Sequence, residues 1–150
     1  MGRATEEINR AMLRVRDAID GGYRDELDLA TLAAVAHVTP DHLVRSFRRV
    51  FGETPHRYLQ RRRVERAMFL LRSTSWPVTR ICLEVGFTSL GTFGRTFTAV
   101  VGESPTVYRG RGDLPAVPGC VTLAWMRPAV FRDPEQTMPV SERRTDPAPA

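Results

Sequence analysis

Apolar positions recur along most of this chain with a helical period. Ile8, Met12, Val15 and Ile19 stand three or four residues apart, which predicts an amphipathic helix over residues 6–19, and Gly21-Gly22 supplies its stop. A short second helix follows from about residue 28 to 37, running through Leu29, Leu32, Ala33 and Ala36. The third opens at Thr39, a good N-cap, with Pro40 at the first helical position where its missing N–H costs nothing. Leu43, Phe47, Val50 and Phe51 make its buried stripe and Gly52 closes it. Pro55 then opens a helix over residues 56–73, with Tyr58, Leu59, Val64, Ala67, Met68, Leu70 and Leu71 on its inner side, and Ser75-Trp76-Pro77 breaks it. At eighteen residues this helix is about 27 Å long, a rod able to hold its two ends apart.

The pattern then repeats. A shift of fifty residues superimposes Leu43 on Phe93, Arg45 on Arg95, Phe47 on Phe97, Gly52-Glu53 on Gly102-Glu103, Pro55 on Pro105 and Tyr58 on Tyr108. Two copies at this spacing indicate a tandem pair, because a solenoid needs three or more units to bury a continuous core. In each copy two helices flank a short turn, and the second helix is capped by Thr39 or Ser89, the outline of a helix-turn-helix. The second copy packs through Val78, Ile81, Cys82 and Val85, turns at Gly86-Phe87-Thr88, and buries Phe93, Phe97, Val100 and Val101. Leu32 aligns with Ile81 at a shift of forty-nine, so this second turn is one residue longer.

Charge sharpens the picture. The net charge of +5 conceals −2 over residues 1–39, +8 over residues 40–112 and −1 over residues 113–150. The middle segment holds thirteen Arg against five acids and carries most of the repeat, the electrostatic footprint of a nucleic-acid binder, although a solvated Arg-rich face has the same composition. With 150 residues there is room for one domain or two very small ones sharing a core. No secretory signal or membrane-length apolar run is present, so a cytoplasmic location is expected. Seven of the eleven prolines fall in residues 113–150, which are expected to be largely disordered apart from CVTLAWM, residues 120–126, a strand-like run able to dock back on the domain.

The residues LAAVAHVTPDHLVRSFRRVFGETPHRYLQRRRVERAMFLL, followed by ICLEVGFTSLGTFGRTFTAVVGESPTVYR, resemble the AraC/XylS family of bacterial transcription regulators. The resemblance covers residues 8 to 109, through Phe47, Gly52, Pro55, Arg63, Ala67, Gly86-Phe87, Phe93, Phe97, Gly102, Pro105, Tyr108 and Arg109. It implies an all-α, homeodomain-like fold of about seven helices, in which two helix-turn-helix subdomains joined by a long linker helix sit in adjacent major grooves on one face of duplex DNA. The corresponding division is a DNA-binding domain over residues 5–112, made of subdomains 5–54 and 75–112 and linker helix 55–74, followed by the tail 113–150. Successive grooves on one face lie about 34 Å apart, a distance that readers at opposite ends of a ~27 Å rod can span. A monomer with two readers then obtains the footprint that other regulators obtain by dimerising.

On the first reader, Asp41, Arg45 and Arg49 lie opposite the buried stripe, with His42, Val44 and Arg48 flanking. Arg45 can bond guanine O6 and N7, Asp41 can accept from cytosine N4 and Val44 can touch a thymine methyl. The resemblance sets the family's base-contacting positions on Asp41, Val44 and Arg45. On the second reader the exposed set is Gly91, Thr92, Gly94 and Arg95, with Thr92 and Arg95 the candidates for base contact and the grip expected to fall mainly on the backbone. Thr39, Arg48, Arg49, Arg80, Thr88 and Ser89 are the expected phosphate contacts. The run Arg61-Arg62-Arg63 reads as phosphate clamps, except that by resemblance the Arg63 position is structural, with an intramolecular ion pair as its expected role.

Other chemistry is poorly supplied. His37, His42 and His56 have no convergent acid, base or further metal ligands, so neither an enzyme nor a metal site nor a cofactor is expected. Cys82 reads as a buried inert thiol, and Trp76 and Trp125 as packing residues. The segments before the second helix and after residue 112 are too short to enclose a small molecule, so no effector domain is expected, and RNA polymerase is a candidate protein partner. Two further classes share the fold: a protein-interaction module, and an architectural DNA binder with little sequence preference.

Overall fold

The computed structural model describes residues 2–111, which form seven α-helices and no strand. They are α1 (Arg3–Gly22), α2 (Leu29–Ala36), α3 (Pro40–Phe51), α4 (Pro55–Ser73), α5 (Val78–Glu84), α6 (Leu90–Val101) and α7 (Pro105–Gly110). The expectations for residues 113–150, including the 120–126 run and Trp125, lie outside the described residues.

Local chemistry sets most boundaries. Asp28, Thr39, Thr54, Ser89 and Ser104 each turn a side-chain oxygen back to accept from the amide three residues on, at the starts of α2, α3, α4, α6 and α7. Pro40, Pro55 and Pro105 follow three of these caps in the first turn. Gly52 and Gly102 end α3 and α6 in the left-handed conformation, with φ of 77° and 92°. Val50, Phe51 and Val101, expected on the buried stripes, are only half-buried, because the last turns of α3 and α6 run out past the edges of their cores.

Two hydrophobic cores result. Ala11, Met12, Val15 and Ile19 of α1 pack with Leu32, Ala33 and Ala36 of α2 and Leu43 and Phe47 of α3. Ile81, Cys82, Val85, Phe87, Phe93, Phe97, Val100 and Tyr108 make the second. Helix α4 serves both: Tyr58 and Leu59 complete the first core, while Val64, Ala67, Leu70 and Leu71 begin the second. Its C-terminal half therefore stands to α5 and α6 as α1 stands to α2 and α3. Phe47 and Tyr58 meet edge to face at 5.7 Å, and their counterparts Phe97 and Tyr108 do so at 5.6 Å.

The repeat extends to a Glu–Arg ion pair. Arg61 on α4 donates through Nε and Nη2 to Glu53 Oε1 at 3.2 and 2.8 Å, and both side chains are buried. Fifty residues on, Arg111 reaches Glu103 at 2.7 Å, but its side chain is 58% exposed. Burial pushes the Glu53 carboxyl up while Arg61 pulls the other way. Stripping one partner from a buried pair leaves an uncompensated charge, whereas exposed pairs contribute little. Glu53→Ala is expected to cost about 3 kcal/mol and Glu103→Ala less than about 1 kcal/mol, compared by urea unfolding of each variant beside the parent.

Gly94 gives a second test. It sits inside α6 with open space where a Cβ would stand, so the fold has no need of glycine there. Gly94→Ala is expected to raise stability by about 1 kcal/mol through helix propensity, read as a higher melting temperature.

Candidate nucleic-acid interface

Packing decides which side of each reading helix stays open. Leu43, Ser46 and Phe47 bury one face of α3, leaving Asp41, Arg45, Arg48 and Arg49 exposed and His42 and Val44 half-exposed on the other. On α6, Phe93, Thr96, Phe97, Ala99 and Val100 are buried, while Gly91 and Arg95 are exposed and Thr92 and Gly94 partly so. Ser46 and Thr96 are equivalent buried polar positions that the hydrophobic pattern does not mark.

The two exposed faces differ in chemistry. Among the described residues Arg45, Arg48 and Arg49 have no hydrogen bond, ion pair or ring contact, so three guanidinium groups stand ready on one side of α3. Arg95 instead lies back along α6: its Nη2 is 3.5 Å from Thr92 Oγ1, and its Nη1 passes 3.5 Å from where a Cβ on Gly91 would stand. Thr92 lines an open cleft between the two units, together with Leu59, Arg63, Phe87 and Thr88. The Thr39 and Ser89 hydroxyls accept from the His42 and Thr92 amides, so both expected phosphate contacts already cap a helix and have only the hydroxyl proton left to donate.

Much of the remaining positive charge is committed within the protein. Arg62 bridges Asp20 at 3.0 Å and Glu65 at 2.6 Å. Arg63 donates to the carbonyls of Tyr23 at 2.6 Å and Asp25 at 2.9 Å, and Arg109 to those of Leu71 at 3.3 Å and Trp76 at 2.6 Å. Arg66 and Arg72 lie over the rings of Phe69 and Tyr108. The expectation of phosphate clamps at Arg61-Arg62-Arg63 therefore fails, because a guanidinium held by carboxylates or carbonyls presents few donors outward. The expected Arg63 ion pair is also corrected: Arg63 is intramolecular, but its acceptors are backbone carbonyls. Nothing in a one-dimensional pattern distinguishes a carbonyl partner from a carboxylate. Arg80 remains exposed, stacked with its guanidinium carbon 3.7 Å from the centroid of the Trp76 ring, which itself packs on the second core.

Titratable and nucleophilic groups are placed for structure. Cys82 is buried and its thiol is pushed up by that burial, the environment of an unreactive sulfur. The Asp28 carboxyl is held down by the hydroxyl and amide of Thr31 at the start of α2. Among the described residues there is no cluster of His, Cys, Asp and Glu suited to a metal, and no helix is long and apolar enough to cross a membrane.

Comparison with known proteins agrees with this architecture. The family described as a helix-turn-helix domain matches residues 32–111. An uncharacterised helix-turn-helix-type transcriptional regulator of Staphylococcus aureus is 33% identical over 104 residues, covering 69% of this chain, although the chain spans only 14% of that protein's length. The helix-turn-helix-type transcriptional activator AarP of Providencia stuartii is 35% identical over 91 residues, covering 61% of this chain and 67% of its own. A probable AraC family transcriptional regulator from Rhodopseudomonas palustris superimposes with a TM-score of 0.64 at 27% identity, over 68% of this chain and 96% of its own. The DNA-binding domain of the global transcriptional factor AdpA, solved with a target DNA, does so with a TM-score of 0.64 at 28% identity, over 67% of this chain and 90% of its own. With the tandem turns, the shared linker helix and the matched residues together, the chain belongs to the AraC/XylS family of helix-turn-helix transcription regulators.

Proposed function

We propose that this chain regulates transcription by reading two adjacent major-groove segments of duplex DNA, with α3 as the principal reader and α6 as the anchor. The observation that carries the reading is the set of three unpartnered guanidinium groups, Arg45, Arg48 and Arg49, beside Asp41 and Val44 on the open face of α3. A folded protein gains nothing from crowding unpaired cations on one helix face, whereas a phosphate-lined groove neutralises them. Arg45, one turn in from the α3 N-terminus, is assigned to guanine, Asp41 to cytosine N4 and Val44 to a thymine methyl, while Arg48, Arg49 and Thr39 take phosphates.

On α6 the groove face offers Thr92 and Arg95 and two glycines, a surface with little to discriminate bases. Arg95 is assigned to the backbone, assisted by Thr88, Ser89 and Arg80. The solved complex of AdpA with its target DNA supports duplex DNA as the partner class. Two readers in one chain favour a monomer on DNA. RNA polymerase is retained as a candidate protein partner, a cytoplasmic location accords with the role, and no catalysis is assigned.

The experiment is selection of bound sequences from a random duplex library, followed by salt titration on the selected site. With four to six cations neutralising phosphates, log K is expected to fall with log salt at a slope of about −4 to −5. Affinity independent of salt would favour a protein-interaction module, and equal affinity for every duplex would favour an architectural role.

The asymmetry between readers is tested by two substitutions. Arg45→Ala is expected to cost about 1–3 kcal/mol and to relax preference at one base pair. Arg95→Ala is expected to weaken all sequences evenly and to flatten the salt slope by about one unit. Specificity profiles of both variants that show the reverse pattern would exchange the roles of reader and anchor.

A further inference from the structure

Among the described residues every extensive helix packing lies within one unit or involves α4, so the units are joined chiefly by a single helix. A lone helix resists stretching but tolerates bending. On an arm of about half the 34 Å groove spacing, a 10° rotation moves a reader by about 3 Å, close to one base-pair step. Some second connection must hold the readers in register.

Arg63 supplies it. It leaves the middle of α4 and donates to the Tyr23 and Asp25 carbonyls, in the connection between α1 and α2. On the other side its guanidinium carbon lies 5.7 Å from the centroid of Phe87, in the turn of the second unit. Burial pulls its proton affinity down, and no carboxylate among the described residues offsets that cost. Gly86, next to Phe87, has φ of +99°, and a Cβ there would stand 2.9 Å from both Tyr23 O and Arg63 Nε and 3.1 Å from Arg24 O. His37, its counterpart at a shift of forty-nine, adopts a milder left-handed φ of 56° on the open surface. At Gly86 both the wider dihedral and the first unit's backbone stand against a side chain. Outside this contact Arg24 and Glu84 pair across the units at 3.1 Å.

We propose that Arg63, seated between the Tyr23 and Asp25 carbonyls and the Gly86-Phe87 turn, is a positioning residue that locks the two helix-turn-helix units together and so fixes the spacing of DNA half-elements the protein accepts. The inference rests on the DNA reading above. A forked guanidinium can hold two carbonyls and lie against a ring at once, and a lysine ammonium lacks that planar geometry. Among the described residues Arg63 bonds none on the open face of α3 or α6, although it lines the inter-unit cleft with Thr88 and Thr92, so its loss acts chiefly on the separation of the readers.

The test uses the selected duplex and two derivatives with one base pair inserted or removed between the half-elements. The parent is expected to prefer the native spacing by at least about tenfold. Arg63→Ala and Arg63→Lys are expected to bind the native site more weakly and to discriminate among the three spacings by less than about threefold. A residue important only for folding would weaken all three duplexes equally and leave the ratio unchanged, which overturns the proposal. Residual dipolar couplings of the free protein give a second readout: one alignment tensor should fit both units of the parent, and Arg63→Ala should require two. A single tensor for Arg63→Ala also overturns the lock. Should Arg63→Ala fail to fold, Arg63→Lys is read by the same spacing ratio, with an unchanged ratio overturning the proposal. A parent that binds no duplex overturns the functional reading instead, and the couplings then decide the lock alone.

Discussion

The structure depends on how α4 divides its buried face. Without α4 the units would be three-helix clusters of fifty residues (5–54) and thirty-eight (75–112), sizes at which a chain hides too little apolar surface to fold with much margin. By giving Tyr58 and Leu59 to one core and Val64, Ala67, Leu70 and Leu71 to the other, α4 makes the two cores share a single rigid element. The same helix is both wall and connector, so core stability and reader separation are set by the same side chains. Tyr58 shows the coupling: its ring packs on Phe47, its hydroxyl donates to Asp20 at the end of α1, and Arg61 covers its face.

Around that helix the repeat preserves packing more faithfully than surface. The edge-to-face aromatic pair recurs within 0.1 Å, and the capping oxygens of Thr39 and Thr54, Pro55 and Gly52 recur in place as those of Ser89 and Ser104, Pro105 and Gly102, while Pro40 is met by Leu90 and the Asp28 cap by Pro77. The Glu–Arg pair recurs in geometry but changes in environment, since Arg61 is enclosed by α4 and Glu65 whereas Arg111 stands at the end of α7. The exposed faces have diverged furthest. Three arginines without a partner among the described residues face outward on α3, and on α6 one arginine lies folded against its own helix beside two glycines. Identical scaffolds with unlike faces suit a division of labour between discrimination and grip.

Arginine is the residue whose role varies most. Sequence charge counts thirteen in residues 40–112 as one basic block, but tertiary packing sorts them into carboxylate partners, carbonyl clamps, ring covers and free groups. Arg63 and Arg109 perform matching work, each pinning the connection that precedes the first helix of a helix-turn-helix. The net field remains positive, while the groups able to meet a ligand directly are concentrated on α3.

Sequence by itself determined the helices, their caps and the duplication, because helix periodicity, N-cap oxygens, first-turn proline and left-handed glycine are interactions among residues three or four apart. It also determined the open face of α3, since a buried stripe through Leu43 and Phe47 leaves Arg45 and Arg49 only one side to occupy. Only the tertiary structure decided which arginines are free, which backbone stands against Gly86, and how α4 belongs to both cores. Several of these are contacts between residues more than thirty apart, such as Arg63 with Tyr23 and Arg109 with Trp76, and backbone carbonyls, which every residue carries, leave no mark in the sequence to show which of them a side chain will find.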